Sequence, residues 1–549
     1  MSVHLRRPDW IGVSFFLFVA ALLARAAIFV IFPHPAYPDA FYYTTVAREI
    51  VAGHGLTIPY LWAFIEVGSK VPAQAVLPLP AFAHWMPLAS LIQVPFIWLL
   101  GPNELVSALP FMLLAAGLAP VSYRFALDLT GRETTARTVG VLAASGVGLA
   151  PFFSQPDNFA LYALLVIGSL WLVSAVLRGA VRPYRRLAAA GALAGLAVLS
   201  RNDGVLVFAA VGLLWLLGRP WRARVERPRI TLAGLLLFGL AGAAVVAPWF
   251  IRQLSEFGSL FPSSDSGRIL FIRDYGEMFS ADGPLNLGYL LAWGVGPLLA
   301  SRLVALFGIA PLLWAVYLAA LALPPLVIWG GWAARSVAGL RPWIVWAGLF
   351  WLWSGLVAAP HLLTGNFIHS VAVILPLTLL LLVLGFEAAM TRIAQRLPRW
   401  DAAAGTRRFR FGLIALIVIV SGISTAKTIE AWAGQRDAYV QITAYLNAHG
   451  PADAPVMSAD PGETWLVSGH PGIQSPTSGA TIIESALRSY HVRWVVLDSN
   501  SIIPVFSDLM LGKSTYPFLS AKPVFVVPDP DPKALYPRLS IYAVLPPAP

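Results

Sequence analysis

Residues 37–57 read YPDAFYYTTVAREIVAGHGLT, a carboxylate-led aromatic segment directly after the apolar run of residues 10–32. About 20 apolar residues suffice to cross a bilayer as a helix, and this run meets that length. Arg6 and Arg7 precede it, so the cytoplasmic bias of basic residues puts Asp39 on the extracytoplasmic side, at the membrane surface. An acid there has both a lipid-borne and a water-borne substrate within reach. Asp39 follows Pro38 and precedes Phe41, Tyr42 and Tyr43, and it reads in two ways. It caps a helix over 40–52, or it serves as general base for a hydroxyl.

Composition sets the class. Of 549 residues, 58% are hydrophobic and 12% charged, which is an integral membrane protein rather than a soluble enzyme. The net charge of +11 comes from arginine clusters that orient loops and hold anionic lipid, so no nucleic-acid partner is expected. With no cysteine, disulfides, thiolate zinc sites and cysteine nucleophiles are excluded.

Apolar length and arginine placement together predict about eleven transmembrane helices, with the N-terminus inside and the C-terminus outside. The first extracytoplasmic loop covers 33–104. Later spans are expected near 105–127, 137–153, 159–178, 187–200, 204–218, 231–250, 304–333, 343–359, 371–390 and 411–428. Basic clusters at 178–186, 219–229 and 392–410 mark the inner side. Two leftover apolar stretches, 84–100 and 287–303, read as interfacial or re-entrant helices anchored by Trp85, Trp98 and Trp293. Residues 1–430 form the transmembrane domain. From 431 to 549 the composition predicts a small extracytoplasmic α/β domain. In it DAYVQITAYLNAHG (437–450) is an amphipathic helix with Val440, Ile442, Tyr445 and Leu446 near one face. APVMSAD and VRWVVLDS are buried strands, with ESALRSYH a helix between them.

The polar clusters collect on the outer side, and ionisable groups at membrane depth mark function. Asp157 in SQPDN either caps the next helix, or holds an acceptor or supports a metal. Arg201 and Asp203 in SRNDG either neutralise each other or bring a guanidinium to a phosphate, for which its paired donors are suited. Arg252, Arg268 and Arg273 lie in the next outer loop. Asn366 and His369 begin a descending helix whose N-terminus favours anions. Arg25, inside the first span, is expected to snorkel to the surface. His34, His54, His84, His361 and His369 lack metal-ligand spacing and HExxH is absent, so no metal ligand is assigned.

The chain resembles the GT-C superfamily of polytopic glycosyltransferases, in particular its protein mannosyltransferase and aminoarabinose-transferase-like branch. The matching segments are PDAFYYTTVAREIVAGHGLT, HWMPLASLIQ, SQPDNFALYALL, GLAVLSRNDGVLV and GNFIHSVAVILPL, in that order along residues 10–430. The resemblance implies a membrane glycosyltransferase that moves a sugar from a polyprenyl-phosphate donor to a hydroxyl of a glycan, lipid or protein acceptor, outside the cytoplasm and with inversion. It implies Asp39 as the catalytic acid of the first outer loop. Relatives often carry two adjacent acids there, whereas this chain has Asp39-Ala40. Phosphate contact transfers to Arg201. The remaining substrate-binding candidates are Tyr42, Tyr43, Asp157, Asp203, Arg252, Arg268, Asn366 and His369. No cofactor is required on this reading, and a divalent cation is left open. Competing readings are a polytopic transporter, a non-enzymatic envelope-assembly protein and a transferase using a diphosphate donor.

Overall fold

Apolar runs in lipid become helices because every backbone N–H and C=O must then be satisfied within the segment. The computed structural model describes residues 10–218, 230–264, 270–283, 285–320, 323–397, 401–501 and 503–547. Arg6, Arg7, Arg268 and the basic cluster 219–229 lie outside these. Among the described residues, seven helices are long and apolar enough to cross a membrane, from Trp10–Ile31 to Ala403–His449. The protein is a polytopic membrane protein. The other expected crossings are helical but shorter, as in Pro183–Ser200, Val205–Leu217 and Arg341–Leu352.

Two expectations about spans are corrected. The crossing expected at 137–153 is a 13-residue helix, Glu133–Ser145, followed by 3-10 turns. Gly146 ends it with a left-handed backbone (φ 78°), a conformation that favours glycine. The span expected at 304–333 starts earlier: Val295–Leu318 is one apolar helix of 24 residues, and Pro324–Ala333 is a separate one. Pro324 and Pro325 open that second helix, where their missing N–H groups cost nothing.

The chain divides into two compact units. Unit 1 comprises residues 1–34, 104–249 and 300–429. In it Gly330 and Gly385 allow helices Pro324–Ala333 and Leu375–Arg396 to touch backbone to backbone. A Cβ on either would collide with a carbonyl of the other helix. Small residues at such crossings are how helices associate without a hydrophobic driving force. Arg25 does not snorkel. It is buried, and its guanidinium donates to the carbonyls of Ala144 and Ala150, closing the C-terminal end of helix Glu133–Ser145.

Unit 2 comprises residues 35–103, 250–299 and 430–549, so the predicted 431–549 domain is not self-contained. Its six-stranded sheet is built from β1 (Tyr60–Leu61), β2 (Val456–Ser458), β3 (Gly472–Gln474), β4 (Trp494–Asp498), β5 (Phe525–Val527) and β6 (Leu539–Ala543), in the order β1-β3-β2-β4-β6-β5. The first outer loop thus supplies the edge strand, pairing Tyr60 with Gly472 in parallel. Alternation along β4 sends Val495 and Leu497 to one core and Trp494 and Val496 to the other. Tyr439, Ile442 and Leu446 of helix Ala402–His449 cover the second face, while Val440 is exposed rather than inward.

Gly330→Val and Gly385→Val should each cost about 1–3 kcal/mol by overpacking. Thermal unfolding in detergent should show lower midpoints for both. Gly331→Ala, whose nearest atom is 4.0 Å from the added Cβ, should match the parent.

Candidate active site

In unit 1 the segment Ser154–Asn158 precedes helix Phe159–Leu177, and Asn158, not Asp157, takes the N-cap position. The Asp157 carboxylate instead meets His369 Nε2 at 2.7 Å, with both side chains almost fully buried. The other ring nitrogen, Nδ1, lies 2.6 Å from the Gly365 carbonyl. A carbonyl only accepts, so Nδ1 carries a hydrogen. One further proton is then shared between Nε2 and Asp157, and the pair is neutral overall wherever that proton sits. Phe159 stacks on the imidazole at 3.9 Å and fixes its plane.

The turn after helix Pro183–Ser200 holds the arginine. Arg201 Nε donates to Asp203 at 3.2 Å and Nη2 donates to Asn366 at 2.8 Å. The Ser370 hydroxyl donates to Asp203, and the Tyr162 ring lies 5.9 Å from the guanidinium carbon. Unit 1 therefore brings together five of the expected residues: Asp157, Arg201, Asp203, Asn366 and His369. Ser370 and Tyr162 were not expected. Ser370 stood next to His369 in a flagged motif, and Tyr162 lies on the helix that Asp157 precedes.

Asp39 lies in unit 2. The helix is Pro38–Val51 with Tyr37 at the N-cap, so Asp39 sits in the first turn rather than at the cap. That position is still favourable for a carboxylate because of the helix dipole. One carboxylate oxygen accepts the indole N–H of Trp85 at 3.1 Å. Trp85 is therefore no interfacial anchor. It is 7% exposed and packs against Tyr42 (4.0 Å) and Trp62 (4.2 Å), while Trp98 is 73% exposed.

Tyr42 and Tyr43 are buried inside unit 2. The Tyr42 hydroxyl accepts the backbone N–H of Phe82 at 2.7 Å, and Gln253 donates to the Phe82 carbonyl at 2.8 Å. Phe82 has φ 71°, a costly backbone for a bulky residue, and both of its backbone groups are held by side chains. This fixes the segment that carries Trp85. Arg252 pairs with Gln253 at 2.7 Å and stacks on Phe257. Arg273 stacks on Tyr289 at 3.8 Å and donates to its carbonyl, a structural role.

The family model for dolichyl-phosphate-mannose-protein mannosyltransferase matches residues 83–249. No curated protein matches the chain. Among solved structures, ArnT from Cupriavidus metallidurans bound to undecaprenyl phosphate superposes with a TM-score of 0.57 at 14% identity, covering 97% of each chain. The oligosaccharyltransferase of Archaeoglobus fulgidus in complex with Zn and sulfate gives 0.52 at 13% identity, over 88% of this chain and 68% of that one. The chain has the polytopic fold of the GT-C glycosyltransferases.

Glu66 shapes the turn beside this aromatic cluster by accepting the backbone N–H of Trp62 at 3.1 Å. Burial pushes its carboxyl up from 4.5 to about 8. Burial likewise raises Asp460 to about 7, with the nearby Asp498 charge adding to it, and raises Glu463. These acids hold protons in the folded state that the unfolded chain has already lost. Their contribution to stability is therefore lost as pH rises from about 4.5 to about 8. The unfolding midpoint should fall across that window, and Glu66→Gln should flatten the slope. A midpoint that rises from pH 5 to pH 8 would contradict the assignment.

Proposed function

We propose that the protein is an inverting membrane glycosyltransferase that moves a sugar from a polyprenyl-phosphate donor to an acceptor hydroxyl on the extracytoplasmic side. The observation that supports this most is Asp39, a partly exposed carboxylate that accepts the Trp85 indole N–H at the start of an otherwise buried aromatic helix. The acceptor hydroxyl gives its proton to Asp39 as its oxygen attacks the anomeric carbon. The bond from that carbon to the phosphate oxygen breaks, and its electron pair leaves with the lipid phosphate. Arg201, preset by Asp203 and Asn366, meets the charge that develops there. The GT-C fold and the likeness to a structure holding undecaprenyl phosphate support a lipid-borne donor. The acceptor is a glycan, lipid or protein hydroxyl.

Asp39→Asn should lower kcat by about 10²–10⁴-fold with little change in KM, the range for removal of a general base. Arg201→Lys keeps the charge but loses the fork to Asp203 and Asn366, and should lower activity less than Arg201→Gln. Transfer would be followed with the polyprenyl lipid that co-purifies with the protein, identified by mass spectrometry. NMR of the product should show an inverted anomeric centre. Retention, or full activity of Asp39→Asn, would refute the mechanism.

A further inference from the structure

The basic stretch 392–410 has no part in the proposed transfer, yet unit 1 builds a polar cavity around it. The cavity has a volume of about 490 Å³ and lies where the start of helix Glu133–Ser145 meets the last turns of Leu375–Arg396 and the first turns of Ala402–His449. From His369 to Glu387 the helix advances roughly 27 Å at about 1.5 Å per residue, so the cavity is far from the Asp157–His369 pair.

Arg132 and Arg410 line it with the hydroxyl-bearing Thr134, Thr135, Thr391 and Thr406. Two carboxylates share the wall, and both are already engaged. Glu133 is held by Tyr123 (2.9 Å) and Arg137 (2.8 Å). Glu387 is held by Arg132 (2.9 Å), Arg410 (3.4 Å) and Thr135 (2.8 Å). The two arginines and two carboxylates of the wall cancel, and the positive charge comes from its surroundings: Arg137, paired with Glu133, and the exposed Arg392, Arg396, Arg407 and Arg408, near neighbours in sequence. Arg410 Nε and Glu387 Oε2 are both buried without a hydrogen-bond partner, and a ligand oxygen would satisfy the first while a protonated or hydroxyl-bearing headgroup would satisfy the second. Guanidinium forks, threonine hydroxyls and the first-turn amides of a 13-residue helix together suit a tetrahedral oxyanion. Phe409 and Phe411 flank Arg410 and are 52% and 68% exposed, an apolar border suited to acyl chains.

We propose that this cavity binds the phosphate of an anionic membrane lipid, with the acyl chains along the exposed phenylalanines. The bound headgroup ties the start of helix Ala402–His449 to the other two helices. Phosphate recognition by basic pockets between membrane helices follows the same electrostatics as binding of anionic headgroups at the basic side of a bilayer.

The test uses full-length protein in detergent, titrated with phosphatidylglycerol, phosphatidylcholine or inorganic phosphate and read by native mass spectrometry. Phosphatidylglycerol should bind at least tenfold more tightly than phosphatidylcholine. The variant R132Q/E387Q/R410Q, which removes both signs of charge and so avoids a stranded Glu387, should lose that preference. R185Q/R186Q, in a different basic loop, should keep it. Hydrogen exchange of the parent protein gives a readout that needs no variant: residues 132–140 and 403–411 should be protected by phosphatidylglycerol and not by phosphatidylcholine. Equal binding of the two lipids, an unchanged preference in the triple variant or absent protection would overturn the proposal. Binding of inorganic phosphate with no lipid preference would also overturn it, assigning the cavity to a soluble phosphate.

Discussion

A carboxylate with no exposed surface among apolar helices must be matched, because an unpaired buried charge costs several kcal/mol. Asp157 is that group in unit 1, and His369 is its match. The contact does more than neutralise a charge. It ties the segment before one long helix to the turn before another, residues far apart in sequence. That turn also carries Asn366 and Ser370, which complete the hydrogen bonds of Arg201 and Asp203. Three polar segments are thereby held in one arrangement by groups that each need the others. Removing one partner of such a pair costs about 3–5 kcal/mol, much more than an exposed ion pair is worth.

Unit 2 positions its acid by packing and strain rather than by paired charge. Asp39 is oriented by Trp85, and Trp85 sits on a segment whose neighbour Phe82 adopts an unfavourable backbone. Strain of this kind costs on the order of 1–3 kcal/mol and persists only when its surroundings over-determine it. Here Tyr42 and Gln253 do so, one on each backbone group of Phe82. Tyr42 also stacks on Trp85, so the helix that carries Asp39 is the same helix that fixes the donor to Asp39. The aromatic run after Asp39 therefore also supports the segment that carries Trp85.

The difference between what sequence shows and what it hides follows from the range of the forces. Long apolar runs are legible because lipid leaves the backbone no alternative to a helix. The strands of VRWVVLDS and APVMSAD are legible because β-branched runs of that length fit a buried sheet. The polar motifs around Asp39, Asp157, Arg201 and His369 are legible because such residues are scarce in this composition. Arg25 is not: nothing near it in sequence indicates two carbonyls, of Ala144 and Ala150, waiting to be capped. Nor is the two-residue strand Tyr60–Leu61, which exists only because the edge of a distant sheet is open to it. The Trp85 bond to Asp39 lies in the same class. Hydropathy reports which solvent a segment prefers and says nothing of its hydrogen-bond partner.

The charge of the unit 1 cluster constrains how a donor phosphate could be received there. Arg201 is balanced by Asp203, and the Asp157–His369 pair carries one shared proton and no net charge. These four groups together are neutral. A phosphate arriving at Arg201 therefore finds a guanidinium already committed, and its own charge is in surplus. Either it displaces Asp203 from the fork, or positive charge enters with it. Displacement alone would strand a buried carboxylate beside the Ser370 hydroxyl, which is costly. Positive charge arriving with the phosphate removes that cost. On this argument donor binding is linked to charge entering the cluster.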